Sequence, residues 1–116
     1  MRRILLLLLG IPALCFARLP AGLPCASWPV NVTEVKLQNA GILKIPQLDE
    51  SRTKATPVSI EKIGKDLYRQ VFDIALYSKA GREIHVVTVN NASSSECSMS
   101  DVTVYVISRK FDAQTP

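Results

Sequence analysis

Apolar and polar positions alternate most clearly in the C-terminal half of the chain. In an extended conformation Tyr68, Phe72, Ile74 and Leu76 fall on one side, and Arg69, Val71, Asp73, Ala75 and Tyr77 on the other. Glu83 to Val89 repeats the alternation and is rich in β-branched residues, which suit a pleated surface. Lys79-Ala80-Gly81 joins the two runs. A three-residue hairpin loop with glycine in the left-handed position sets Ser78 opposite Arg82, Leu76 opposite Ile84, Ile74 opposite Val86 and Phe72 opposite Thr88. A two-residue turn also pairs apolar positions, but it places Ala80 at positive φ, where a side chain is penalised. Turn chemistry therefore selects the register. Val102, Val104 and Val106 alternate with Thr103, Tyr105 and Ile107; both faces are largely apolar, which predicts a strand in the middle of a sheet.

The N-terminal half is less regular. Residues 18–30 hold Pro20, Pro24 and Pro29 and predict an extended, irregular lead-in, with Trp28 plugging the edge of the core. Val30, Val32, Val35 and Leu37 predict a strand, and Asn39-Ala40-Gly41 a turn. Ile42, Leu43 and Ile45 suggest a second short strand stopped by Pro46, followed by an exposed loop over 46–57. Residues 58–71 admit two readings. Ile60, Ile63, Leu67 and Val71 have helical spacing behind a Ser59 cap, but Gly64 would cost such a helix about 1 kcal/mol. The preferred reading is a strand over 56–62, a turn at Gly64-Lys65-Asp66, and a long strand from about Leu67. Residues 90–100 are polar and predict a loop. The expected architecture is mainly β: a small antiparallel sandwich or open barrel of five or six strands. It forms one domain over 31–111, with 112–116 as a frayed tail.

Charge and hydropathy at the start of the chain change the picture. Arg2 and Arg3, the apolar run Ile4–Leu9 and its extension to Leu14, then Cys15-Phe16-Ala17, have the three-part layout of a secretory signal peptide cleaved after Ala17. The run is shorter than the ~20 residues of a membrane-spanning helix. Leu14 before Cys15 and Pro24 before Cys25 are not the small residues that lipidation needs. No later segment is apolar enough to cross a bilayer, so no stable membrane insertion is expected after cleavage. The formal charge of the 116-residue chain is +4, and loss of Arg2 and Arg3 leaves twelve basic against ten acidic residues. That bias is too weak for nucleic acid; the cluster Lys54, Lys62, Lys65 and Arg69 is interleaved with Glu61 and Asp66 and reads as a solvated face.

Two cysteines then remain, Cys25 and Cys97. In an oxidising compartment such a pair bonds. A zinc site from Cys25, Cys97 and His85 lacks the close ligand spacing such sites use, so no metal or cofactor is expected.

Candidate chemistry is sparse. His85, the only histidine, falls opposite Ala75 and near Asp73, without a nucleophile set apart among Ser93, Ser94 and Ser95. Asp49 and Glu50 are neighbours and point apart; Asp73 and Asp101 would meet only if their strands paired. Gly41, Gly64 and Gly81 are single turn glycines and make no phosphate loop. The sequons Asn31-Val32-Thr33 and Asn91-Ala92-Ser93 gain meaning only in a eukaryotic secretory path. These features predict an exported, non-catalytic binding protein, periplasmic or secreted, an inhibitor or accessory subunit, whose partner is an envelope or extracellular protein. Its contacts are expected on the 90–100 loop, through Asn91, Ser94, Glu96 and Ser98. A structural or assembly protein that associates by strand-edge pairing is the alternative, and an enzyme with an unrecognised site the third.

Overall fold

The computed structural model describes residues 19–107. The expected signal peptide, 1–17, and the expected frayed tail, 112–116, lie outside the described residues. One helix, α1 (Ser27–Asn39), precedes four strands: β1 (Lys54–Gly64), β2 (Leu67–Tyr77), β3 (Glu83–Ala92) and β4 (Thr103–Val106). The strands form one antiparallel sheet in the order β1-β2-β3-β4, which is not closed into a barrel. The chain is thus mainly β, with four strands among the described residues where five or six were expected.

The β2–β3 hairpin has the expected register: Leu76 faces Ile84, Ile74 faces Val86 and Phe72 faces Thr88. Ser78 N–H donates to the Arg82 carbonyl (2.9 Å) and Gly81 N–H to the Ser78 carbonyl (2.8 Å), with Gly81 at φ +90°. The β1–β2 hairpin turns at Lys65-Asp66, so the strand reading of 58–66 holds and the helix reading does not. Its outer strand is irregular: the register shifts between Pro57 and Ser59, around Val58.

The expected strand over 30–37 is instead most of α1. β-branched Val30, Val32, Thr33 and Val35 lower its helix propensity, and no side chain caps its start. Pro29 lies in the first turn, where its missing N–H removes no helical bond. The Pro-rich lead-in therefore ends at Ala26. The helix buries Pro29, Thr33, Glu34 and Leu37 while Val35 faces solvent. Polar Thr33 and Glu34 face inward and Val35 outward, and this inversion weakens the apolar stripe by which a helix is normally recognised. At the other end Gly41 (φ +78°) lets the Gly41 and Ile42 N–H groups bond the Gln38 and Leu37 carbonyls, closing the helix in a Schellman motif.

No strand forms at 42–45, and 46–57 is not an open loop. Ile45–Gln47 and Glu50–Arg52 are short 3-10 turns. They carry Leu43 and Leu48 into the core against Leu37, Phe72, Ile74, Leu76, Ile84 and Val86. The helix and these turns cover one face of the sheet. The other face, with Val71, Asp73, Ala75, His85, Val87 and Val89, is half-buried. Among the described residues β4 is an edge strand, not a central one: it pairs there with β3 alone. Its inner side chain Val104 packs on the core, while Tyr105 and Val106 stay exposed.

Candidate functional site

Antiparallel pairing of β1, β2 and β3 brings three separate segments to one end of the sheet. They are the stretch before α1, the Lys65-Asp66 turn, and the loop from Ser93 to Asp101. The Cys25–Cys97 disulfide joins the first to the third, with Cα atoms 5.8 Å apart. Beneath it Gln70 and Asn90, fully buried neighbours on β2 and β3, extend the tie. Gln70 Oε1 accepts the Cys25 N–H (3.0 Å), and its Nε2 donates to the Cys25 carbonyl (2.7 Å) and to Asn90 Oδ1 (3.2 Å). Asn90 Nδ2 donates in turn to the Cys97 carbonyl (3.2 Å). Each buried polar atom in this chain of bonds has a partner, so the network contributes rigidity without an unpaired cost.

The turn is tied to the loop by Asp66. Its carboxylate accepts the Ser94 N–H (3.1 Å) and the Ser94 hydroxyl (2.8 Å). Asp66 takes φ +47°, which aspartate tolerates better than most residues. Gly22 sits against the Ser94 carbonyl, where a Cβ would lie 2.7 Å from the oxygen, and has φ +97°. Two independent constraints thus require glycine there. Inside the loop Ser93 N–H donates to the Glu96 carbonyl (2.8 Å), and Ser93 Oγ accepts the Glu96 N–H (3.1 Å).

The structure brings Ser94, Glu96 and Ser98 together in this loop, but their polar groups are partly engaged. Ser94 is held by Asp66, and Ser98 Oγ donates to the Glu96 carboxylate. Asn91 is not in the loop: β3 continues to Ala92, and Asn91 pairs across from Arg69. The strand runs on because its inward polar residue, Asn90, has Gln70 as a ready partner. Asn91 N–H meets Ser100 Oγ (2.8 Å) and its carbonyl accepts the Met99 N–H (3.0 Å), so the residue positions the loop's return. Trp28 is half-buried and donates its indole N–H to the Ser100 carbonyl (3.3 Å). Exposed side chains at this end include Lys65, Ser95, Glu96 and Met99. Asp66 and Gly22 were not expected from sequence reading. Joining the two hairpins end to end would have placed the Lys65-Asp66 turn beside the loop; nothing in the sequence points to Gly22.

Three other clusters carry titratable groups. On the open face His85 Nε2 contacts Asp73, and its Nδ1 lies 3.9 Å from Glu83. Asp101, which would meet Asp73 only if their strands paired, instead binds Lys36 Nζ (3.0 Å); that ion pair and a backbone hydrogen bond at Val102 hold its carboxyl below the usual range. Glu34, on the buried side of α1, is pushed up to about 7 by burial first and then by the Glu50 carboxyl, with which it can share a proton. Its Oε2 has no hydrogen-bond partner among the described residues. A cleft lined by Gln38, Gly41, Leu43, Lys44, Pro46 and Gln47 lies at the C-terminal end of α1. Among the described residues no group of three or more His, Cys, Asp or Glu is placed to hold a metal ion, and no helix is long and apolar enough to cross a membrane.

Comparison with protein-family models, curated proteins and solved structures finds no match for this chain.

Proposed function

We propose that the chain is a small exported, non-catalytic binding protein of the periplasm or extracellular space. It acts as an inhibitor or accessory subunit does, by engaging an envelope or extracellular protein with its disulfide-anchored end. The observation that carries this reading is the cross-tying of three distant segments by the disulfide, the Gln70–Asn90 network and Asp66. A surface ordered before binding loses less entropy on association than a free loop. The disulfide itself suits an oxidising compartment. Contacts on this reading come from Lys65, Ser95, Glu96 and Met99, with Ser94 and Ser98 as supports.

Charge reversals at exposed positions test this. Lys65→Glu and Glu96→Lys, each in the oxidised protein, should weaken capture of its partner from envelope or medium extracts by about tenfold or more. The melting temperature should change little, because exposed substitutions usually stay within about 0.5 kcal/mol. Full-strength capture by both variants overturns the reading.

A further inference from the structure

The two edges of the sheet are unlike. β1 is protected against pairing with another chain: Pro57 lacks a donor, the register breaks around Val58, and Lys54, Glu61 and Lys62 add charge. These are the devices by which natural edge strands avoid association. β4 has none of them. Thr103 to Ile107 contains no charge, no proline and no bulge, and Tyr105 and Val106 are 55 % and 45 % exposed.

The hydrogen-bond phase of β4 shows what its free edge offers. Ile107 N–H donates to the His85 carbonyl (2.8 Å), and the same ladder sets Tyr105 opposite Val87 and Thr103 opposite Val89. Antiparallel ladders alternate, so residues 103, 105 and 107 direct their main-chain groups toward β3, and Val104 and Val106 direct theirs outward. No described residue outside β4 pairs with those outward groups. A strand with two outward residues, one on each side of a central one, is complementary to itself. A two-fold axis at Tyr105 sets Val104 opposite Val106 of a second copy, and Val106 opposite its Val104. Each such pair exchanges two N–H to carbonyl bonds, so all four outward groups of each strand are satisfied. Tyr105 then meets its own copy as the non-hydrogen-bonded pair, the closer of the two kinds, on the open face.

We infer that this chain associates with a second copy of itself through antiparallel pairing of β4 about a two-fold axis at Tyr105, making one continuous eight-stranded sheet. The inference is independent of the loop-end reading, because the loop end takes no part in the contact. Four main-chain bonds and a short apolar strip fall below the size of a standard stable interface, so the dimer is weak, with Kd on the order of 100 µM. Self-pairing is favoured over another partner because an isologous contact is complete in this register with no further residue required.

Sedimentation velocity of the oxidised full mature chain, from about ten-fold below to ten-fold above that concentration, should move from monomer to dimer. Tyr105→Lys, which sets like charges face to face, and Val106→Lys, which puts a charge opposite Val104 of the second copy in the apolar strip, should leave monomer throughout, whereas Glu61→Ala on the β1 edge should change nothing. Register is read separately by cysteine placement. Residues at 105 are directly opposite, at the ~4.5 Å Cα separation of a non-hydrogen-bonded pair, within the range a disulfide spans. Tyr105→Cys should therefore form an intermolecular disulfide under mild oxidation. Thr103→Cys should not, because its counterpart lies about four residues, or ~13 Å, along the partner strand. A monomer at all concentrations overturns the inference. So does a dimer that survives both lysine variants, or equal cross-linking at 103 and 105.

Discussion

Cys97→Ser lowers the stability of the folded chain by roughly 2–5 kcal/mol. The bond joins residues 72 apart in sequence. Cutting it releases to the unfolded chain a loop-closure entropy of about 4 kcal/mol in the chain-entropy model. The native side keeps part of the tie. Gln70 still bonds both main-chain groups of Cys25, and Asn90 still reaches the Cys97 carbonyl. The folded form of the variant should thus keep the sheet, and the loss should register as a lower urea midpoint. Against a total stability of about 5–15 kcal/mol for a domain of this size, the loss is large. Wild-type protein reduced with a thiol should show the same drop. A loss below about 1 kcal/mol in both experiments would mean that the hydrogen-bond network alone holds the two segments together.

The second large effect is a pH dependence with one source. Glu34 has a folded-state pKa of about 7 against an ordinary value of 4.5, caused first by burial and then by Glu50. The folded state binds this proton more tightly than the unfolded state does. Its stabilising contribution is therefore complete below about pH 4.5 and is lost as pH rises toward and through 7. A tenfold difference in proton affinity between the two states is worth about 1.4 kcal/mol. Allowing for screening at the protein surface, the fall is roughly 2 kcal/mol between pH 4.5 and 8. Glu34→Gln should match wild type near pH 4.5, lose the slope, and exceed wild-type stability at pH 8 by a similar amount. Asp101 acts in a different window. Its carboxyl is held low by Lys36, so its contribution is present at neutral pH and disappears only in acid. A wild-type profile flat between pH 5 and 8 would show that Glu34 is already solvated in the folded state.

The fold was legible where side-chain alternation and turn chemistry agree. Phe72, Ile74 and Leu76 against Thr88, Val86 and Ile84, with Gly81 at positive φ, determine one hairpin register and exclude its neighbour. It was illegible where burial contradicts polarity. Thr33 and Glu34 face the core and Val35 faces water, so α1 reads as a strand from its valines. The long-range position of β4 was equally hidden. Alternating valines look central whether their second edge is paired or open, and only the strand order puts β4 at the edge among the described residues. In the candidate site the disulfide followed from the number of cysteines in a chain read as exported. The loop expected over 90–100 begins only at Ser93: Asn90, Asn91 and Ala92 belong to β3, where Asn90 finds Gln70. Asp66 and Gly22 depend on contacts between segments far apart in sequence, for which no local pattern exists.

The most direct test of the loop end as the binding surface is site-specific photo-cross-linking in the native host. A photoreactive residue replaces Ser95 in one variant and Ala80 in another. Both positions are exposed turn or loop sites, at opposite ends of strands about 30 Å long. Ser95 should yield an adduct of discrete mass with one envelope or extracellular protein, lost when Lys65→Glu and Glu96→Lys are combined with it, while Ala80 yields none. An adduct from Ala80 with none from Ser95 would contradict the assignment and move the binding surface to the far end of the sheet.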